Sequence, residues 1–264
     1  MTQPLIGIFD SGLGGLTVVR ELLRRVPSAS FLYLGDTARV PYGNKSPETI
    51  CQYALQDVAF LIERGATDIV IACNTVSAYA LPMLQQRYPE VRFFDVITPA
   101  VQAAVDLEGE RIGVIGTRAT IGSKIYETSI KQLDTGKEVL SVACPLFVPL
   151  VEEGWLKHVE TRRIVRRYLA PLRQKQMDTL ILGCTHYPLL QAIIRASVQK
   201  RVTIIDSPSA VWNAIEKIAP NLLIADQHNI RQEYFFTDLS DRTREIACSW
   251  LGMPVTLKSA TLSS

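Results

Sequence analysis

The 264-residue chain lacks several features that would immediately indicate a class of protein, such as an excess of basic residues or a long apolar run. Lys and Arg number 28 against 26 Asp and Glu, so the net charge of +2 gives no indication of a nucleic-acid partner. Charged residues make up 20% and hydrophobic residues 47%, which excludes intrinsic disorder. The longest apolar runs, such as Ile69–Cys73, have only the length of a strand, so we expect no membrane partner either.

An export signal is also missing from the sequence. The start, MTQPLIGIFDSGLGG, has no basic segment followed by a long apolar one. Five cysteines in a chain without such a signal predict reduced thiols and a cytoplasmic location rather than disulfides. The length suits one large α/β domain or two of roughly 100–150 residues each.

Short apolar runs alternate with amphipathic stretches, which predicts parallel sheets flanked by helices. The clearest helix begins after Ser46, a suitable N-cap, has Pro47 in its first position and ends before Gly65. We expect the tail LKSATLSS to be frayed. Strands are predicted near 5–10, 31–35, 68–73, 92–96, 111–116, 138–144, 178–183 and 202–206.

The sequence also resembles itself. Residues 6–11 align with 112–117, and DIVIACNT (68–75) aligns with DTLILGCTH (178–186). Cys73 and Cys184 are 111 positions apart, as are two aspartates that end strands at 95 and 206. A duplicated unit predicts an α/β fold of two pseudo-symmetric domains, each a mostly parallel sheet flanked by helices, with the active site in the cleft between them. The predicted first domain comprises 1–97 plus 208–264, and the second comprises 98–207.

The duplicated cysteines are the most informative residues, because each stands where an apolar strand ends. A disulfide is at odds with a cytoplasmic chain, and zinc bound by Cys73, Cys184 and His186 would lack a short ligand spacing. A nucleophilic Cys–His enzyme needs only one thiol. Two-base proton transfer needs both, since one thiolate removes a proton from a carbon and the other thiol delivers one to the opposite face. Cys51, Cys144 and Cys248 lack this context and are interpreted as structural.

Other motifs supply polar groups for the same cleft. The turn Asp10–Gly15 is glycine-rich but has neither a dinucleotide-binding nor a P-loop pattern. Its backbone amides could bind an anion, and Asp10 could bind an ammonium group or cap a helix. Thr117 and Thr120 occupy the corresponding turn of the second half.

Three further groups could tune the two thiols. Asp36 and Glu152 are loop carboxylates that either orient the bases or are solvated. His186, beside Cys184, could lower the pKa of that thiol or carry a proton.

Five motifs together resemble the cofactor-independent glutamate racemases: DSGLGGLTV (10–18), GDTARVPYG (35–43), ACNTVSA (72–78), GTRAT (116–120) and GCTHYPLL (183–190). The resemblance covers residues 5 to about 208 in order and spacing, and the last fifty or so residues only loosely. It implies a two-domain fold that interconverts L- and D-glutamate without pyridoxal phosphate or metal, the D isomer serving peptidoglycan synthesis. It names glutamate as the small-molecule partner, and a homodimer is left open.

The resemblance also assigns residues. It implies that Cys73 faces the α-hydrogen of D-glutamate and Cys184 that of L-glutamate, with Asp10 and His186 assisting and Asp36 and Glu152 contributing less. Substrate contacts are implied for Asp10, Ser11, Pro41, Tyr42, Gly43, Asn74, Thr75, Thr117, Thr120, Thr185 and His186.

Four alternatives stand beside this hypothesis. Aspartate racemase shares the fold and the paired cysteines and differs by one methylene of substrate. A decarboxylase would need one thiol only. A thiol hydrolase using Cys184 and His186 would tolerate loss of Cys73. A non-catalytic amino-acid-binding protein would bind glutamate without exchanging its α-hydrogen.

Overall fold

Two separate parallel sheets form the framework of the molecule. The computed structural model describes residues 5–224 and 230–262. The first sheet has the order β10-β9-β2-β1-β3-β4 and the second the order β6-β5-β7-β8. The strands are β1 (Ile6–Asp10), β2 (Phe31–Gly35), β3 (Asp68–Ile71), β4 (Arg92–Asp95), β5 (Arg111–Gly116), β6 (Glu138–Ala143), β7 (Thr179–Gly183), β8 (Thr203–Asp206), β9 (Gln232–Phe236) and β10 (Leu257–Ser259).

Helices cover both sheets. They are α1 (Leu16–Arg25), α2 (Pro47–Glu63), α3 (Asn74–Arg87), α4 (Thr98–Val105), α5 (Arg118–Gly122), α6 (Ile125–Leu133), α7 (Phe147–Glu152), α8 (Val159–Gln174), α9 (Gln191–Ser197), α10 (Ser207–Ile218) and α11 (Asp241–Leu251). The prediction for α2 is confirmed, because the Ser46 side chain accepts a hydrogen bond from the Thr49 amide and Gly65 has a φ of +93°. No helix in the described ranges is long and apolar enough to cross a membrane.

The predicted internal repeat is visible in the strand order. The run β2-β1-β3-β4 in the first sheet corresponds to β6-β5-β7-β8 in the second, and every paired strand is parallel. After β4, Asp95 Oδ1 accepts from the amide of Thr98 at 2.9 Å, and after β8, Asp206 Oδ1 accepts from that of Ser209 at 2.8 Å. The predicted fold class of two pseudo-symmetric α/β units is confirmed.

We call the first sheet with its helices the first lobe and the second sheet with its helices the second lobe. All strands of the first sheet fall within 1–97 and 208–264, and all strands of the second within 98–207. This distribution supports the predicted domain boundaries, which remain a prediction. Helix α10 packs against α1, where Trp212 Nε1 donates to the carbonyl of Val18 at 2.8 Å.

The C-terminal part of the chain differs from the prediction. Strands β9 and β10 were not predicted, and the expectation of a frayed tail is wrong for its first residues. Strand β10 pairs with β9, the side chains of Leu257 and Ala260 are buried, and the Ala260 amide donates to the carbonyl of Phe236 at 2.8 Å. The tail is held because it completes the edge of the first sheet.

Candidate active site

A cavity of about 640 Å³ lies between the lobes, at the carboxyl ends of both sheets. Loops after β1 and β3 form one wall, and loops after β5 and β7 form the other. Of the residues named above for catalysis or substrate contact, those that line the cavity are Ser11, Pro41, Tyr42, Gly43, Cys73, Asn74, Thr75, Thr117, Glu152, Cys184, Thr185 and His186. Asp10, Asp36 and Thr120 are buried behind this lining.

Cys73 stands at the wall that belongs to the first lobe. It is the N-cap of α3, is 6% exposed, and its Sγ lies 3.4 Å from Ser11 Oγ. Burial, and then the charge of Asp10, raise the pKa of the Cys73 thiol to about 12 against the opposing hydrogen bonds. Near neutral pH this group is therefore a thiol that can donate a proton.

Cys184 on the opposite wall has a different environment. Its Sγ lies 3.9 Å from His186 Nδ1, and His186 Nε2 lies 2.9 Å from Glu152 Oε1. Burial lowers the pKa of His186, but the interactions with Cys184 and Glu152 outweigh it and raise that pKa to about 10. An imidazolium beside the sulfur stabilises a thiolate, so this wall is arranged to hold a base.

Asp10 links the glycine-rich turn to the Cys184 loop. Its carboxylate accepts from the Gly12 amide at 2.9 Å and from Thr185 Oγ1 at 3.3 Å. The Gly12 amide is thus bound to Asp10, whereas the sequence left it available to an anion. A Cβ on Gly14 would lie 2.2 Å from Thr185 Oγ1 and 2.5 Å from His186 Nδ1, so only glycine allows this close approach of the two lobes.

Three threonine hydroxyls join the lobes beside Cys73. The Oγ1 atoms of Thr75, Thr117 and Thr120 lie 3.0 to 3.2 Å from one another. Thr117 is also the N-cap of α5 and accepts from the Thr120 amide at 3.2 Å. Thr75 and Thr117 present hydroxyls to the cavity, and Thr120 supports them from behind.

Asp36 supports the cavity-lining segment 40–44 from outside the cavity. Its carboxylate accepts from the Tyr42 hydroxyl, from Arg39 Nε, and from Thr237 Oγ1 at 2.8 Å. Arg39 also pairs with the buried carboxylate of Asp57 at 3.0 Å. Asp36 therefore acts on the site through Tyr42, which lines the cavity.

We expect Asp36→Asn to raise the KM for the substrate by about 5- to 20-fold, the equivalent of about 1–2 kcal/mol, with a smaller change in kcat. Tyr42 would lose a charged hydrogen-bond acceptor, while the thiols stay in place. Steady-state kinetics checks this. Asp68→Asn is the matched control, since Asp68 is a buried carboxylate paired with Arg92 at 2.6 Å at the other end of the sheet. A large fall in kcat at unchanged KM would place Asp36 at the reacting carbon instead.

Part of the cavity lining on the second lobe was not predicted from the sequence. Cys144, interpreted as structural, lines the cavity, as do Pro145, Leu146 and Tyr168. The sequence did contain one signal that places Cys144 at the cavity. Cys144 follows β6 as Asp36 follows β2, and these two strands correspond in the internal repeat.

The different surroundings of the two thiols predict an order of alkylation. At pH 7.5 we expect iodoacetamide to modify Cys184 before Cys73, because the thiolate is the reacting form and Cys73 is held as a thiol. Modification of Cys73 should then rise about tenfold per pH unit. Peptide mass spectrometry measures both rates, and a ligand that fills the cavity should protect both residues but not the half-buried Cys51 and Cys248. Equal rates at the two cavity thiols would contradict the assignment.

The fold and the cavity define a class of two-lobed α/β proteins with paired thiols facing one cleft. The chain belongs to the Asp/Glu/Hydantoin racemase family, whose sequence profile matches residues 6–215. It is therefore an isomerase, and the family inferred from the five motifs is confirmed.

Individual relatives agree with this membership. The chain is 44% identical over 250 residues to the glutamate racemase of Chlorobaculum tepidum, covering 94% of this chain and 92% of that one. Among solved structures, a glutamate racemase isoform from Bacillus anthracis superposes with a TM-score of 0.92 at 36% identity, covering 99% and 98%. A Francisella tularensis glutamate racemase in complex with D-glutamate superposes with a TM-score of 0.90 at 35% sequence identity, covering 98% of each chain. The aspartate racemase of Picrophilus torridus shares the fold alone, at 18% identity and a TM-score of 0.57 over 82% of this chain and 94% of that one.

Proposed function

We propose that the protein interconverts L- and D-glutamate by two-base proton transfer between Cys73 and Cys184. The observation that carries the proposal is the placement of these two cysteines, related by the internal repeat, on opposite walls of one cavity. The relatives that match most of the chain at 36% and 44% identity are glutamate racemases, which supports glutamate as the substrate. The D-glutamate formed would supply peptidoglycan synthesis.

In the L-to-D direction the Cys184 thiolate takes the α-proton, and the electron pair of the broken C–H bond remains on the carbon and its carboxylate. The Cys73 thiol then gives its proton to the opposite face, which leaves a Cys73 thiolate and a Cys184 thiol. The reverse reaction uses the same steps with the roles exchanged. General acid–base help contributes typically about 10²–10⁴-fold per group, so fixed donors in the buried cavity must stabilise the remaining developing charge.

The site residues divide between the two walls. His186, held by Glu152, stabilises charge on the Cys184 sulfur, and Asp10 aligns the same loop through Thr185. Hydroxyl and amide groups of Ser11, Asn74, Thr75 and Thr117 are available to the substrate's carboxylates and ammonium group. Pro41, Tyr42 and Gly43 form a further part of the wall. Asp36 supports Tyr42 from behind, and Thr120 supports Thr75 and Thr117.

Proton exchange in deuterated water tests the proposal. We expect L-glutamate to gain deuterium at the α-carbon while its optical activity decays to zero, and L-aspartate to react far more slowly. If aspartate is racemised with a comparable kcat/KM, the protein is an aspartate racemase and the assignment of glutamate is wrong. Binding of glutamate without exchange would indicate a binding protein, and release of carbon dioxide a decarboxylase. The matched control is the double variant Cys73→Ala/Cys184→Ala, which lacks both bases.

Three further expectations belong with this proposal. Activity should survive dialysis against a chelator without added metal or pyridoxal phosphate; within residues 5–224 and 230–262, no group of three or more His, Cys, Asp or Glu side chains is placed to hold a metal. We expect a cytoplasmic location, which the free thiols favour, and cell fractionation tests it. The homodimer stays a prediction, which sedimentation with and without glutamate checks.

A further inference from the structure

One side chain from the second lobe contacts the neighbours of both cysteines. Tyr126 in α6 is 2% exposed, and its hydroxyl donates to Asn74 Oδ1 at 2.6 Å. Asn74 directly follows Cys73 and begins α3. At the other end, a Cβ built on Gly183 would lie 3.0 Å from Tyr126 Cε2, so the ring rests on the residue that precedes Cys184. Tyr126 thus spans the distance between the two cysteine loops.

The hydrogen bonds around Asn74 also fix which way its amide points. Ser207 Oγ lies 3.4 Å from Asn74 Nδ2 and 3.5 Å from Asn74 Oδ1. Its hydrogen is donated to the nearer carbonyl of Leu182, at 3.1 Å, so its oxygen can accept from Nδ2. With Oδ1 taken by Tyr126, the second Nδ2 hydrogen remains for the cavity that Asn74 lines. Burial raises the pKa of Tyr126, so its hydroxyl keeps the proton that it donates to Asn74 Oδ1. Asn74 therefore offers an N–H to the cavity, which suits a substrate carboxylate and not an ammonium group.

We propose that Tyr126 is a positioning residue for the racemase reaction: its hydroxyl orients the Asn74 amide and its ring fixes Gly183, so that one side chain sets the alignment of both cysteines with the substrate. This inference rests on the proposed function of Cys73 and Cys184. Removal of the hydroxyl frees the Asn74 amide to rotate and to place its oxygen toward a substrate carboxylate. The ring contact alone does not prevent that rotation.

The test is Tyr126→Phe, which keeps the ring on Gly183 and removes one oxygen atom. We expect kcat/KM for glutamate to fall by about 10- to 100-fold, as for other small misalignments of reacting groups. The fall should be the same in both directions, because the two enantiomers have equal free energies. Tyr79→Phe is the matched control, since the Tyr79 hydroxyl also joins the lobes but donates to a backbone carbonyl, that of Ala119, at 3.0 Å. It should stay within about twofold of the wild type.

A double-variant cycle with Asn74→Ala separates positioning from general weakening of the fold. If Tyr126 acts through Asn74, Tyr126→Phe should cost nothing further in the Asn74→Ala protein, whereas a purely structural loss would add in full. Thermal unfolding, measured on all variants, establishes that each is folded at the assay temperature. Additive losses, or a Tyr126→Phe variant as active as Tyr79→Phe, would overturn the proposal. Cys73→Ser is assayed in parallel, and if it keeps full activity the proposed function fails, whatever Tyr126→Phe shows.

Discussion

Replacement of Cys73 by Ala should reduce racemisation by several orders of magnitude in both directions, because each direction uses one cysteine as base and the other as acid. The remaining half-reactions should differ. With Cys184 intact, L-glutamate can lose its α-hydrogen and regain a solvent deuteron on the same face, so deuterium enters without inversion. Cys184→Ala should show the mirror behaviour with D-glutamate, with exchange that rises with pH because Cys73 must first lose its proton. Proton NMR combined with chiral chromatography measures exchange and inversion separately.

Two outcomes would contradict the facial assignment. A Cys73→Ala variant that racemises L-glutamate near the original rate would favour a one-base or covalent mechanism. Equal loss of exchange from both enantiomers in both variants would indicate a collapsed cleft. Cys51→Ala is the control, because Cys51 lies outside the cavity lining and its Sγ hydrogen bond is to the backbone carbonyl of Tyr79, at 3.5 Å.

His186→Asn should lower kcat/KM by about 10²–10⁴-fold, since it removes the cation beside the Cys184 sulfur. The pKa of His186 is raised to about 10, so the wild-type imidazole carries its charge below that pH and loses it as the pH rises through it. The wild type should therefore lose activity above about pH 10, whereas His186→Asn should lack this limb of the profile. Rates measured from pH 6 to 11 check both statements.

A cleaner measure of the same role uses half-reactions. In the Cys73→Ala background, His186→Asn should abolish deuterium uptake by L-glutamate, which depends on Cys184. In the Cys184→Ala background, it should leave uptake by D-glutamate largely intact, because the imidazole lies beside the Cys184 sulfur whereas the Cys73 sulfur is hydrogen-bonded to Ser11. Equal loss in the two backgrounds would show that His186 serves substrate binding rather than one thiol.

The strand ends and the cysteines could be predicted because their signals are local and repeated. A buried parallel strand is a continuous apolar run, and the residue that ends it lies at the ligand-binding edge whatever the rest of the chain does. Cys73 and Cys184 occupy that position in two copies of one unit, which turned two weak signals into one hypothesis. The cap at Ser46 is equally local.

Whether a side chain lines the cavity or lies behind it, and which distant segments pair, could not be predicted in this way. Asp36 directly follows β2, yet it lies behind Tyr42 and does not line the cavity, because the loop after it folds back over its carboxylate. Strand β10 has three residues, LKS, with no apolar alternation, and it exists only because β9 offers it a partner. The contact of Tyr126 with Asn74 joins residues 52 positions apart and has no counterpart in either local pattern.

The order of the first sheet has a consequence for how the protein is made. All four strands of the second sheet lie between residues 111 and 206, so they leave the ribosome together and in sequence. The first sheet needs β9, which pairs along β2 from Phe31 to Gly35. Until residues 232–236 have been synthesised, one edge of β2 has no neighbouring strand, and an open edge of this kind invites pairing between nascent chains. Chains that stop before residue 232 should therefore aggregate, although they already contain both cysteines.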